Sequence, residues 1–104
     1  MSEQLVFRAI ADPTRRSIMA MLSDGERSLN EITAQYEMTR PAVTKHLKIL
    51  EQGGLIRVRA QGRERLHALK PEALKTVSDF VSFFSPFWDE KLADLKQAVE
   101  ADDE

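Results

Sequence analysis

A chain of 104 residues, 42% hydrophobic and 31% charged, has room for one domain (residues 1–104) with a modest core. It holds no cysteine, which excludes disulfides, thiolate metal sites and cysteine nucleophiles, and it holds no apolar run of about 18 residues able to cross a membrane. The formal net charge of -2 hides an uneven distribution, because residues 39–70 carry eight Lys/Arg against Glu51 and Glu64, a local +6 between two acidic ends. Salt screening keeps surface fields local over about 8–10 Å, so a mildly acidic protein can still present a basic face. The start, MSEQLVFRAIADPTRRS, lacks the basic, apolar and small-residue blocks of a secretory signal. The expected location is cytoplasmic.

In chain order, residues 3–11 place Leu5, Val6, Ala9 and Ile10 on one helical stripe. Asp12-Pro13 reads as an N-cap followed by proline at the first helical position, opening a helix with Ile18, Met21 and Leu22 inward that stops at Gly25. Ser28-Leu29-Asn30-Glu31 fits a capping box and starts a third short helix carrying Leu29, Ile32 and Tyr36. Thr39 caps a fourth, with Arg40 and Pro41 in its first turn, Val43, Leu47 and Leu50 as the buried seam, and Gly53-Gly54 as the stop. The period then changes. LIRVR and RERLHAL alternate on either side of Ala60-Gln61-Gly62, which predicts a hairpin with Ile56, Val58, Leu66 and Ala68 on one face and Arg57, Arg59, Arg65 and His67 on the other. Pro71 begins a final helical region to about residue 100, which Ser85-Pro86 should kink or break.

The expected fold is therefore α+β, mostly α: a helix-turn-helix over about 29–53, a two-stranded wing over about 55–69, and a C-terminal helical region over about 71–100. In such folds the second helix of the motif enters the DNA major groove. Opposite the buried seam the fourth helix presents Lys45 and Lys48, with Thr44 on the flank and Arg40 in the first turn. Arg40, Thr44 and Lys45 are the expected base readers and Lys48 a phosphate contact. Arg57, Arg59, Arg63 and Arg65 would make a basic finger for the neighbouring backbone or minor groove. The partner expected is double-stranded DNA.

VFRAIADPTRRSIMAML and LNEITAQYEMTRPAVTKHLKILEQGGLIRVRAQGRERLHAL together resemble the ArsR/SmtB family of bacterial winged-helix transcriptional regulators, over roughly residues 3–70. The resemblance implies a homodimeric repressor on a palindromic operator, often near its own gene. It also implies DNA contact by the helix that begins at Thr39, Arg40 and Pro41 and by the wing around Gly62. Many members sense metals through cysteine pairs or through His/Asp/Glu sets near the C-terminus. Here LNEITAQYEM has no thiol and the terminal helix no histidine, so the resemblance is to the cysteine-free type, with no metal site and no cofactor expected. The effector, small molecule or protein, is left open.

His46 has two readings, a DNA backbone contact or a packed histidine; His67, on the arginine face, would lie near phosphate or in solvent. Arg15 and Arg16 stand in a first helical turn, where the macrodipole disfavours cations; each calls for a partner, an acidic group in the domain ahead of a DNA phosphate. Five aromatics fall within residues 80–88, more than one flank of a small domain needs. With two-fold operator reading in view, they point to a dimer interface built from Leu5, Val6, Ile10, Phe80, Phe84, Phe87, Trp88, Leu92 and Leu95. The competing function is a winged-helix module that docks on another protein. Catalysis is not expected, since no nucleophile–base set, phosphate-cradling glycine loop or paired carboxylates occur.

Overall fold

The computed structural model describes residues 3–102. Helices α1 (Glu3–Ile10) and α2 (Pro13–Leu22) are followed by a two-residue strand β1 (Arg27–Ser28), the short helix α3 (Leu29–Thr33) and the longer α4 (Arg40–Gln52). Strands β2 (Ile56–Gln61) and β3 (Glu64–Leu69) form the hairpin, and a 3-10 turn (Pro71–Ala73) leads into α5 (Leu74–Phe83) and α6 (Ser85–Asp102). The architecture is a winged helix-turn-helix, mostly helical, with a three-stranded antiparallel sheet of order β1-β3-β2.

The helix ends are set by local chemistry. The Asp12 carboxylate accepts from the Arg15 N–H at 3.0 Å, and Ser28 and Glu31 exchange the two bonds of a capping box at 2.9 and 3.1 Å. Each satisfies backbone donors that the first turn leaves without partners. Thr39 Oγ1 takes the Ala42 N–H at 3.2 Å and opens α4. At the far end the Leu55 N–H reaches Leu50 O at 3.0 Å and the Gly54 N–H reaches Glu51 O at 2.9 Å. This is the paired closure of a Schellman stop, with Gly54 at φ 73° where a side chain would be strained. Gly53 is needed for a different reason: a Cβ there would come within 3.0 Å of Leu5 O, so the lack of a side chain lets α1 lie close against the end of α4.

The core is drawn from α1 to β3. Val6, Ile18, Leu22, Ile32, Val43, Leu47, Leu50, Leu55 and Ile56 are buried together, which confirms the seam expected for α4. In α2 the inward residues are Ile18, Met19 and Leu22, with Met21 partly covered. Tyr36 lies outside α3, in the turn, where its hydroxyl is 2.8 Å from Ser17 Oγ. The Phe84 junction separates α5 from α6, as the Ser85-Pro86 pair predicts. The Cα radius of gyration is 18.1 Å, against about 13 Å for a compact 100-residue domain. The excess belongs to α6, whose 18 residues run about 27 Å at 1.5 Å per residue and are exposed along every described side chain. No helix among the described residues is long and apolar enough to cross a membrane.

Candidate nucleic-acid interface

Helix α4 turns Val43, Leu47 and Leu50 into the core, so helical spacing forces the residues between them outward. Arg40, Pro41, Thr44, Lys45 and Lys48 all lie exposed and line one shallow depression on that outer side. Thr39 stands at its start as the cap. The arrangement is a continuous basic surface on a single helix.

His46 is drawn into the domain instead. Arg15 Nη1 donates to His46 Nδ1 at 3.1 Å; because a guanidinium has donors only, the ring nitrogen accepts and its proton sits on Nε2. Arg15 also bonds Ala9 O at 2.7 Å and Arg8 O at 2.9 Å, and Arg16 bonds Ile10 O at 2.8 Å. The two arginines therefore satisfy the orphan carbonyls that end α1. Sequence reasoning asked for an acidic partner; the partners are peptide oxygens, which carry the negative end of the α1 dipole. Asp12 sits 3.8 Å from the same His46 nitrogen, and its carboxyl is held below the usual range first by the Arg15 N–H, with burial opposing that effect and the Arg15 charge adding to it.

The hairpin differs from expectation in one respect with several consequences. Gln61 pairs with Glu64, which leaves Gly62-Arg63 as a two-residue turn, with φ 61° at Gly62 and no positive φ at Arg63. That is the type II′ pattern, which needs glycine at its first central position. The register pairs Val58 with His67, Ala60 with Arg65 and Arg59 with Leu66, and directly paired residues share a face. Val58, Arg65 and His67 thus face α4, where they line a cleft with Leu29, Thr44, Leu47, Lys48 and Glu51. Arg57, Arg59, Leu66 and Ala68 take the opposite face.

Three expectations are corrected by this register. The four wing arginines do not share a face, since Arg57 and Arg59 are turned away from α4, Arg65 toward it, and Arg63 occupies the tip. Arg59 is also paired: its Nε and Nη2 donate to the two Glu26 oxygens, both at 2.9 Å. That bond holds the Glu26 carboxyl below its ordinary value and raises Arg59. His67 is buried rather than exposed, with Nδ1 3.3 Å from Arg27 O; burial pushes its pKa down, opposed by that carbonyl and by Glu51, so the ring is held toward neutrality.

A fourth correction concerns the expected dimer contacts. Val6 is 4% exposed and lies in the core of its own chain, so it has no surface to offer a partner. Leu5 and Ile10 are half-buried, while Phe80, Phe84, Phe87, Trp88, Leu92 and Leu95 are all exposed. Phe80 stacks edge-to-face on Phe7 of α1 at 5.4 Å and on Phe84 at 5.4 Å, which links α1 to the exposed row.

Sequence reasoning missed Asn30, whose Oδ1 accepts from Arg40 Nη1, and Glu26. Nothing local marks either, since both partners lie far off in the chain. Among the described residues no three His, Cys, Asp or Glu side chains gather into a set that could hold a metal ion.

Comparison with known proteins agrees with this geometry. The Helix-turn-helix domain family matches residues 10–59. The chain is 30% identical over 101 residues to the HTH-type transcriptional regulator Rv2034 of Mycobacterium tuberculosis, covering 97% of this chain and 92% of that protein. It is 33% identical over 70 residues to the transcriptional repressor SdpR of Bacillus subtilis, covering 67% and 78% of the two chains. The crystal structure of an ArsR family transcriptional regulator superposes with a TM-score of 0.75 at 34% identity, covering 83% of this chain and 89% of that one.

Proposed function

The chain belongs to the ArsR/SmtB family of winged helix-turn-helix, DNA-binding transcriptional regulators, and from that premise we propose that it is a homodimeric repressor that occludes a palindromic operator, possessing neither catalytic activity nor a metal switch and working in the cytoplasm. The observation that carries this reading is the outer surface of α4, where Arg40, Thr44, Lys45 and Lys48 stand exposed with Arg63 and Arg65 of the wing beside them. In this reading α4 enters the major groove with Thr44 and Lys45 toward base edges and Lys48 on the backbone, and the Gly62 turn reaches the adjacent strand or minor groove. Two recognition helices must sit about 34 Å apart to meet successive half-sites. The exposed aromatic row of α5 and α6, joined by Leu5 and Ile10, is the surface proposed to hold two copies in that geometry. A relative named as a repressor supports the sign of regulation.

The test is fluorescence anisotropy with the fragment upstream of its own gene against a scrambled duplex, in chelator, across about 50–300 mM salt. The expected result is tight binding to the native fragment, a steep salt dependence and no effect of the chelator. Equal, weak binding to both duplexes would refute the operator reading and favour docking on a protein.

A further inference from the structure

Between α3, the start of α4 and the tip of the wing lies a cleft of about 300 Å³ lined by Asn30, Arg40, Arg63, Glu64 and Arg65. Three guanidiniums from two elements border it against one carboxylate. Among the described residues none of the three pairs with an Asp or Glu, whereas Arg59, on the other face of the same hairpin, is neutralised by Glu26. Arg40 does not hang loose at this edge. Its Nη1 donates to Asn30 Oδ1, which turns the guanidinium back toward α3 and leaves its other N–H groups available. Since Arg40 supplies donors only, the Asn30 amide must present oxygen to it and keep its own NH2 as a further donor. Converging positive charge with unsatisfied donors is the chemistry that recognises an anion, and an arginine fork matches phosphate oxygens two at a time.

The anion is identified by what borders the cleft. Arg40 also lines the depression that holds Thr44, Lys45 and Lys48, so the cleft opens beside the surface that meets the duplex. In the DNA-contact reading above, a strand leaving the groove occupied by α4 and passing the wing would cross this point. We propose that the cleft seats one backbone phosphate per half-site, clamped by Arg40, Arg63 and Arg65, with Asn30 as the positioning residue that aims Arg40 at it. Arg40 then fixes register on the backbone and reads no base. The proposal rests on the DNA-contact reading above and changes the role that sequence reasoning gave Arg40.

The experiment scans one neutral methylphosphonate along each strand of the operator and measures binding by the wild type and by Arg40→Ala, Asn30→Ala and Asn30→Asp. One position per half-site should cost the wild type roughly tenfold and cost Arg40→Ala clearly less, since only Arg63 and Arg65 then remain on that phosphate. Arg40→Ala should weaken every base-pair variant of the operator by the same factor and flatten the salt slope by up to about 0.9 per half-site. Asn30→Ala should weaken binding severalfold through the same position. Asn30→Asp should weaken it further, because its carboxylate would neutralise Arg40 and repel the phosphate; a merely structural bond to Arg40 would be strengthened by that change. Loss of discrimination at a single base pair in Arg40→Ala, with the wild-type methylphosphonate profile retained, would overturn the clamp while leaving the repressor reading intact. Arg40-dependent binding of inorganic phosphate that leaves operator affinity unchanged at constant ionic strength would overturn it too, by giving the cleft to a small anion. Absence of selective binding by the wild type would overturn the repressor reading itself and the clamp with it.

Discussion

Residues 3–70 and residues 74–102 carry hydrophobic side chains at comparable helical spacing, yet they spend them in opposite ways. In the first region Ile18, Ile32, Val43, Leu50 and Leu55 are all 0% exposed. In the second, none of the described side chains is buried; Phe80, Phe83, Phe84, Phe87, Trp88, Leu92 and Leu95 are between 41% and 79% exposed. The edge-to-face pairs Phe80–Phe84, Phe83–Phe84 and Phe87–Trp88, with ring centroids 5.1–5.7 Å apart, organise the row without covering it. An apolar stripe tells that a surface is to be removed from water, and not whether the same chain removes it.

Matched truncations make that contrast measurable. Leu50→Ala should lower unfolding stability by about 2–5 kcal/mol in urea titrations, the cost of lost burial plus the cavity left behind. Leu92→Ala should do almost nothing at a dilution where the protein is monomeric, because its side chain is already 60% exposed in one chain. A comparable loss for both would mean that α6 folds back onto its own core in solution.

The next largest effect belongs to the exposed row itself. Trp88→Asp combined with Leu92→Asp should convert a dimer to a monomer in sedimentation equilibrium and cut operator affinity by about a hundredfold or more, since two linked half-site contacts become one. The helical content should be retained. A double variant that remains dimeric would place the interface elsewhere and remove the role proposed for α5 and α6.

What could be read in the sequence follows the same division between local and distant causes. The caps at Asp12, Ser28 and Thr39, the α4 seam, the Gly53-Gly54 stop and the break at Ser85-Pro86 were legible because each is set within a few residues. The faces of the hairpin were not. Placing the turn at residues 60–62 rather than at Gly62-Arg63 slips one strand against the other, and with a side-chain period of two a slip of one residue exchanges the faces. That misplaced turn put His67 and Arg65 on the face of Arg57 and Arg59, whereas the observed register sets them opposite, and it hid the cleft shared with Arg40. Strand β1 is two residues long and leaves no alternating pattern to find. The Glu26–Arg59 pair spans 33 residues, and the partners of Arg15 and Arg16 are backbone oxygens, which no side-chain pattern announces.

Burial of His67 turns the hairpin into a modest pH sensor of fold stability. The unfolded ring takes up its proton near 6.5, whereas the folded ring, its pKa lowered first by burial, resists protonation to a lower pH. Between those two points the unfolded chain binds more protons, so stability is full above about pH 6.5 and declines as pH falls below it. Urea midpoints measured from pH 7.5 to 5 should fall for the wild type and fall less for His67→Gln, by a fraction of the Leu50→Ala effect. The carboxylates of Asp12, Glu26 and Glu31, all held below their ordinary values, lose their contributions only at more acidic pH.

The smallest effect separates the two faces of the wing. Arg59 and Arg65 lie on neighbouring strands with similar exposure, and charge alone would rank them as equal DNA contacts. Arg59 is already spent on Glu26 and turned away from α4, while Arg65 faces α4 and has no carboxylate partner among the described residues. Arg65→Ala should therefore flatten the salt dependence of operator binding by its share of the one phosphate it holds in each half-site with Arg40 and Arg63, and Arg59→Ala should leave the slope within error. Glu26→Gln should be equally silent in DNA binding and nearly so in stability, as expected of an exposed ion pair. Equal slopes lost by the two arginines would mean that the duplex contacts both faces of the hairpin, with the wing inserted into a groove edge-on.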